Sequence, residues 1–419
     1  MSGYSRSVTP FENPNALEES YQPDEIQGRS DETHEVQRVF QPVIDNEPPR
    51  NAFLYGLSGL GKTATTQYEL NQLAASAEEY NDIRLTTIRQ NCNDLNSSYQ
   101  VAITLANQIL PPNSQLPRSG LPAGQIYETL FEQINQLGTA ADDIRDYVII
   151  VLDEFDNIGS SDRLLYQIPQ ARANDRLNNV WPCLIGISND ITFRENLSPK
   201  VQSSLCEREI TFSAYDADEL SAILTHRSQI AFKEGAVDTE VLNLAAAYGA
   251  QEGGDARYSI DLLRSAGEIA KAEGRETVER HDLEEARDDV ERNRVSETLS
   301  SMGIHEHLAA AALLYLKYEG ETPVVRADLY PVYRKFAEEI LGDSNNMRRL
   351  HSHLGDLDML GLISRSRIIT PEGRKFEYRI DSLRASLLLE SLQSLEVPAV
   401  PSDSSLIPSD LHELIIDEG

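Results

Sequence analysis

Gly56-Leu57-Ser58-Gly59-Leu60-Gly61-Lys62-Thr63, with Ala64 directly behind it, has the spacing GxxxxGK[ST]. A short apolar run, Ala52 to Tyr55, precedes it, and a stretch of helical character follows. That context matters as much as the residues. Glycines let the backbone turn its N–H groups toward a phosphate, and a new helix N-terminus adds positive partial charge. Lys62 would reach the β- and γ-phosphates, and Thr63 would hold Mg²⁺. The bland alternative is a Gly-rich turn between strand and helix. The matched context favours a nucleotide site taking ATP and Mg²⁺.

The second half of such a site lies downstream. Val148 to Leu152 is apolar throughout and ends in Asp153-Glu154-Phe155-Asp156. Acids at the carboxyl end of a parallel strand face the nucleotide crevice. Asp153 is the expected Mg²⁺ holder, and Glu154 the residue that orients the attacking water. Asp156 reads as structural or solvated. No GxSxG or HExxH competes with this pattern. His305/His307 and His351/His353 form two HxH pairs, but positions i and i+2 on a helix point to different faces, which argues against a shared metal.

Working outward, 419 residues predict two or three domains. Apolar residues make up 40% and charged residues 25%, which excludes wholesale disorder. No run is long enough to span a membrane as a helix, and the first ten residues hold no apolar segment that would read as a secretory signal. Cys92, Cys183 and Cys206 have no CxxC spacing, so the expected compartment is the cytoplasm.

The net charge is −31, which by itself argues against a nucleic-acid partner. Two details weaken that argument. The cations are 30 Arg and only 7 Lys, a balance suited to concentrated salt, where the Debye length falls to about 3 Å at 1 M. The charge is also uneven, and residues 344–384 carry eight basic residues against five acidic ones.

Along the chain, residues 1–27 read as a mostly extended arm rich in Pro, Asn, Ser and Glu. Residues 28–212 alternate strands and helices, which predicts an α/β unit with a parallel sheet covered on both faces. Residues 213–296 are helical, and 396–419 form an acidic tail expected to be loose. Residues 297–395 read as a winged helix, with three helices followed by a β-hairpin. Its candidate recognition helix is Ser344 to Leu360, with Met347, Leu350, Leu354, Leu357 and Leu360 on the inner face and Arg348, Arg349 and Ser352 outside. Arg365 and Arg367 share one face of the next strand, and Arg374 and Lys375 sit at the wing tip. These are the candidate DNA contacts, with the helix in the major groove and the wing on the backbone. A winged helix used for protein contacts is the alternative.

With these motifs in place, the chain resembles the archaeal AAA+ replication initiators related to the largest origin-recognition subunit and the Cdc-type helicase loader. The resemblance spans about residues 20–395 and rests on several segments in the family's order. They are Asn51-Ala-Phe-Leu-Tyr-Gly, Leu152-Asp-Glu-Phe-Asp, Gly186-Ile-Ser-Asn-Asp, Ser203-Ser-Leu-Cys-Glu-Arg, Tyr215-Asp-Ala-Asp-Glu-Leu and Gly254-Asp-Ala-Arg-Tyr-Ser-Ile-Asp-Leu-Leu-Arg. It implies an AAA+ core, a helical lid and a winged helix. It also implies Asn189 as a polar sensor, Tyr215 against the nucleotide, and Arg257 reaching the γ-phosphate from the lid. A second DNA contact is implied between Asn91 and Ile134, where the one basic residue is Arg118.

Three positions depart from the family's pattern. Leu60 replaces a usual Thr, Gly28-Arg29-Ser30 replaces His-Arg-Glu, and Lys200 stands for a usual Arg. Lysine cannot make the bidentate fork of arginine. The resemblance implies an ATP-dependent, slowly hydrolysing, origin-binding initiator. Its partners would be duplex origin DNA, the replicative helicase and other initiator copies, with no membrane. The alternative is a diverged DNA-binding regulator of transcription or plasmid copy number. The salt-adapted composition points within the family to a haloarchaeal member.

Overall fold

The computed structural model describes residues 8–138, 143–158, 162–190, 193, 197–199, 201–202, 208–370, 373–380 and 382–394. Lys200, Ser203 to Glu207, Pro371 and Glu372, and the residues from 395 lie outside the described residues. The chain divides between Leu283 and Glu284 into two compact units.

The first unit is built on a five-stranded sheet. Its strands are β1 (Ala52–Tyr55), β2 (Ile83–Asn91), β3 (Arg145–Asp153), β4 (Val180–Ser188) and β5 (Glu209–Thr211). Their spatial order is β2-β3-β4-β1-β5, and every pairing is parallel. β3 is an interior strand between β2 and β4 with Val148 to Leu152 essentially inaccessible, which is why it reads as an unbroken apolar run. β2 lies at the edge with only Ile83 and Ile88 buried, so the sequence shows only part of its length. The flanking helices are α1 (Ser30–Ile44), α2 (Lys62–Ala77), α3 (Ser98–Ile109), α4 (Ala123–Gln136) and α5 (Arg163–Gln167). The three-residue β5, with only Ile210 buried, was not expected as a strand.

The helical part of this unit comprises α6 (Ala217–Ala231), α7 (Thr239–Gln251) and α8 (Ala256–Ala272). Each begins after an aspartate. Asp216 makes a reciprocal capping box with Glu219, and the Asp255 carboxylate accepts from the Tyr258 backbone N–H at 3.1 Å. The segment expected to be extended, residues 8–27, departs from that expectation. It holds a 3₁₀ turn at Pro14–Leu17 with Ala16 and Leu17 fully buried. Phe11 stacks on Phe232 at 4.8 Å, and the Glu12 and Asn13 N–H groups donate to the Ala231 carbonyl. Three apolar residues suffice to anchor the segment when a helical surface is there to receive them; composition averages them away.

The helix α9 (Arg280–Ser301) contains the division between the units. The second unit then packs α10 (Ile304–Tyr318), α11 (Arg326–Leu341), α12 (Met347–Met359) and α13 (Ser382–Ser394) with a small antiparallel sheet. That sheet has the order β6 (Val324–Val325), β8 (Gly373–Arg379), β7 (Ser364–Thr370). The expected three helices and hairpin are therefore joined by a third short strand and a closing helix. α12 buries Leu350, Leu354 and Leu357 completely, whereas Met347 and Leu360, expected on the same face, are 37% and 41% exposed at its ends. Gly361, with φ +73°, ends the helix. No helix among the described residues is long and apolar enough to cross a membrane.

Candidate nucleotide site and nucleic-acid interface

The strand order places the candidate residues together. The loop Gly56 to Gly61 leaves β1, Asp153 and Glu154 end β3, and Asn189 ends β4, which lies between those two strands. The carboxyl ends of three adjacent parallel strands thus open on one cleft of about 420 Å³. Glu19, Tyr68, Tyr215, Arg227 and Arg257 also line it.

α2 starts at Lys62, directly after Gly61 with φ +85°. A Cβ there would come within 2.5 Å of the Tyr215 hydroxyl, so glycine is required for both conformation and space. At Gly59 a Cβ would lie 1.7 Å from the Asp255 carboxylate, and the Ala256 N–H donates to the Gly59 carbonyl at 3.1 Å. The N-terminus of α8 is seated on the phosphate loop. Leu57 is exposed, but Leu60 is buried in the loop's underside. Its apolar side chain is thus accounted for by packing.

The Lys62 ammonium donates to the carbonyls of Gly56 (2.8 Å) and Leu57 (2.6 Å) and to Asn189 Oδ1 (2.9 Å). The Thr63 hydroxyl donates to Asp153 Oδ2 at 2.9 Å. Hydroxyl and carboxylate oxygens placed side by side are the hard donors that Mg²⁺ takes, so this pair fits that ion. Ala64 is exposed on the first turn of α2, and Tyr215 is buried at the far side of the loop. Glu154 has φ +53°, a left-handed conformation that is uncommon outside glycine and clusters at functional sites. Burial raises its carboxyl above the ordinary range. Asp153 and Asp156 push the same way, while Arg257 and a hydrogen bond from Asn189 oppose them. Asn189 therefore ties Lys62 to Glu154. Asp156 fixes Asn189 in turn, since its carboxylate accepts the Asn189 N–H at 3.2 Å.

Burial lowers the Lys62 ammonium to about 8, against the pull of Asp153 and Asp156. A phosphate needs the charged form, so the sign is fixed. Nucleotide affinity is expected to be level below about pH 8 and to fall above it. The limit is tenfold per pH unit until the ligand-bound lysine itself titrates. Calorimetric titration between pH 7 and 9.5 tests this. Lys62→Ala should bind weakly with no such slope; a slope that survives the substitution assigns it elsewhere.

Two residues that the sequence reading did not assign complete the site. Arg29 is 1% exposed. Its guanidinium donates to the carbonyls of Leu60 and Ser213, pairs with Glu32 at 3.1 Å and lies 3.5 Å over the Tyr215 ring. It clamps the phosphate loop to the start of the lid. Its signal in the sequence was that it keeps the arginine of the His-Arg-Glu pattern while Gly28 and Ser30 depart from it. Glu19, from the N-terminal segment, pairs with Arg257 at 2.7 Å, and no sequence motif marks it.

The candidate DNA residues fall at two places. Arg118 is exposed on the connection between α3 and α4. In the second unit, Arg348, Arg349 and Ser352 lie on the exposed face of α12, whose N-cap Asn346 accepts from the Arg348 and Arg349 N–H groups. Arg365 and Arg367 share a strand face over the Phe376 ring, at 5.0 and 5.7 Å. Arg365 also pairs with Asp358 at 2.9 Å, which ties the strand to the helix. Arg374 is exposed and Lys375 half-buried.

The two HxH pairs separate as their spacing predicts. His305 meets the Tyr333 hydroxyl, His307 the Leu299 carbonyl, His351 the Tyr378 hydroxyl, and His353 both Glu306 and Asn345. Glu306, His353 and Asp356 do converge within 4.8 Å, but His353 already uses both ring nitrogens in hydrogen bonds.

Three family models match the chain. They are an AAA ATPase domain over residues 25–177, a Cdc6 AAA+ ATPase-type lid domain over 221–288, and a CDC6 C-terminal winged helix domain over 297–386. Among curated relatives, ORC1-type DNA replication protein 11 of Haloarcula marismortui is 43% identical over 375 residues, covering 90% of this chain and 88% of that protein. ORC1-type DNA replication protein 10 of Halobacterium salinarum is 38% identical over 384 residues, covering 91% of each. Among solved structures, the Aeropyrum pernix ORC1 protein in complex with DNA aligns with TM-score 0.79 at 33% identity, over 94% of this chain and 99% of that one. The Aeropyrum pernix ORC2 protein, in ADPNP–ADP complexes, shares the fold at TM-score 0.63 and 20% identity, over 91% and 97%.

Proposed function

Because the chain belongs to the archaeal ORC1/Cdc6-type family of AAA+ DNA replication proteins, we propose that it is an ATP-dependent origin-binding initiator that helps recruit or load the replicative helicase. The observation that carries the nucleotide half is the convergence of Lys62, Thr63, Asp153, Glu154, Asn189 and Arg257 on one cleft.

In this reading the loop Gly56 to Ala64 wraps the phosphates with backbone N–H groups, and Lys62 trades its carbonyl partners for phosphate oxygens. Thr63 and Asp153 hold Mg²⁺, which supplies neutralising charge to the phosphate oxygens. Glu154 orients a water, Asn189 positions Glu154, and Arg257 meets the γ-phosphate. Tyr215 lies against the nucleotide. Glu154 can accept from Asn189 through one oxygen and orient water through the other, and slow hydrolysis would then serve as the reset. Residues 28–212 form the core, 213–296 the lid and 297–395 the DNA-binding domain.

The second unit supplies the DNA half. Arg348, Arg349 and Ser352 would enter the major groove, and Arg367, Arg374 and Lys375 would follow the backbone, with Arg365 bracing the wing through Asp358. Arg118 would make a separate contact. Arg374→Ala with Lys375→Ala is expected to weaken binding to all duplexes alike. It should also reduce the salt slope of log K by roughly 1.8, from about 0.9 per phosphate contact. Unchanged affinity would remove the wing from the interface.

The whole function is tested by pull-down of genomic fragments in molar KCl with ATP, followed by sequencing. Enrichment of a few loci with repeated motifs near replication genes supports the initiator. Enrichment at promoters would favour the DNA-binding regulator instead, and no enrichment would reject sequence-specific binding.

A further inference from the structure

The Arg257 guanidinium does not point into empty space. Its Nη2 lies 2.7 Å from Glu19 Oε1, and its Nη1 is 3.5 Å from the Ser58 hydroxyl on the phosphate loop. Glu19 is the only group of its segment in that ion pair, and the segment is tethered on both sides of it. On one side Ala16 and Leu17 are fully buried. The Arg227 guanidinium of α6 donates to the Ala16 carbonyl at 2.9 Å, reaches the Tyr21 carbonyl at 3.5 Å and stacks over the Tyr21 ring at 4.6 Å. The carboxylate is therefore presented to Arg257 by an ordered strap.

Other charges face the same place. Asp261 lies one turn along α8, where burial raises its carboxyl and Glu19 and Asp255 raise it further while Arg264 and Arg257 lower it. Arg257 also acts on Lys62 and Glu154 across the cleft. An anion held at Arg257, within reach of Ser58, occupies ground that a terminal phosphate would claim.

We propose that Glu19 is a specificity-determining residue. Its carboxylate is a built-in competitor for Arg257 that ATP must displace and ADP need not, so it sets the ratio of ATP to ADP affinity. This rests on the reading that Arg257 meets the γ-phosphate. ADP ends one phosphate short of the arginine and leaves the pair intact. ATP brings a more highly charged and better hydrogen-bonding partner, takes the arginine, and leaves Glu19 beside a like charge. The same exchange frees the strap at Glu19 while its tethers at Ala16 and Tyr21 stay on Arg227 of α6.

The experiment is calorimetric titration of the full chain in molar KCl with Mg²⁺ and either ADP or a non-hydrolysable ATP analogue. Glu19→Gln removes the charge and keeps the shape. It is expected to raise affinity for the ATP analogue about twofold to fivefold, the range of an exposed ion pair, and to leave ADP unchanged. In an Arg257→Ala background the same change should have no effect on the ratio. Glu25→Gln is the control for general charge. Glu25 also lines the cleft but is bonded to Gln27 at 3.3 Å. The proposal is overturned if Glu19→Gln changes neither ligand, moves both equally as Glu25→Gln does, or weakens the ATP analogue. The parent reading fails separately, if Arg257→Ala alone leaves the ratio of ATP-analogue to ADP affinity as it was.

Discussion

Glu154→Gln is expected to bind ATP with near-native affinity and to hydrolyse it more slowly by about 10² to 10⁴, the usual contribution of a general base. The substitution is isosteric, so the left-handed backbone at φ +53° and the acceptor for the Asn189 amide both survive. Lys62, Thr63 and Asp153 are untouched, and with them the binding half of the site. What is lost is an oxygen basic enough to orient and deprotonate water. Single-turnover hydrolysis beside equilibrium binding separates the two effects, and unchanged turnover would take Glu154 out of the mechanism. Burial and two neighbouring acids raise the Glu154 carboxyl, and only its ionised form accepts a proton. Hydrolysis by the unaltered protein should therefore decline on acidification at a pH above the ordinary carboxylate range, and this acid limb should vanish in the variant.

Arg29→Ala is expected to destabilise the first unit by about 3–5 kcal/mol, the cost of removing one partner from a buried charged network. At roughly 2–4 °C per kcal/mol, a melting temperature lower by about 10 °C follows. The size comes from what is left behind. Leu60 and Ser213 lose the donor to their carbonyls, Glu32 loses its counter-ion, and the Tyr215 ring loses the cation stacked on it. Nucleotide affinity should drop as well, because Leu60 belongs to the phosphate loop and Tyr215 touches its Gly61. Arg29→Lys separates charge from geometry. Lysine keeps the charge but loses the planar fork and its stacking over the Tyr215 ring, so it should recover only part of the loss. Full recovery by lysine, or a melting shift within 2 °C for alanine, would contradict the clamp.

Leu60 and Arg29 show how far the departures from the family pattern could be read. Leu60 stood out in the sequence as a difference, whereas Arg29 is the matching residue of a triplet whose two neighbours differ. Only their positions explain them, since Leu60 fills the underside of the loop and Arg29 reaches across to its carbonyl. Lys200, the third departure, lies outside the described residues.

The chemistry of the nucleotide site was local enough to be written in the sequence. The phosphate loop is eight consecutive residues between a strand and a helix, and the acids of β3 follow an apolar run that only a buried parallel strand requires. The same holds for the α/β core, the helical stretch after it and the basic end of the chain, each of which has its own periodicity and charge. Contacts between segments far apart in sequence were decided by the tertiary structure alone. Glu19 meets Arg257 across more than two hundred residues, and Arg29 meets Ser213 across nearly as many. Neither pair leaves a periodic or compositional trace. An ion pair asks only that two opposite charges be present and that the fold bring them together, and in a chain with 68 acids and 37 bases the sequence offers far too many choices. Packing Ala16 and Leu17 into the lid and seating Asp255 on Gly59 make the selection, because those buried contacts bring Glu19 and Arg257 to the same place.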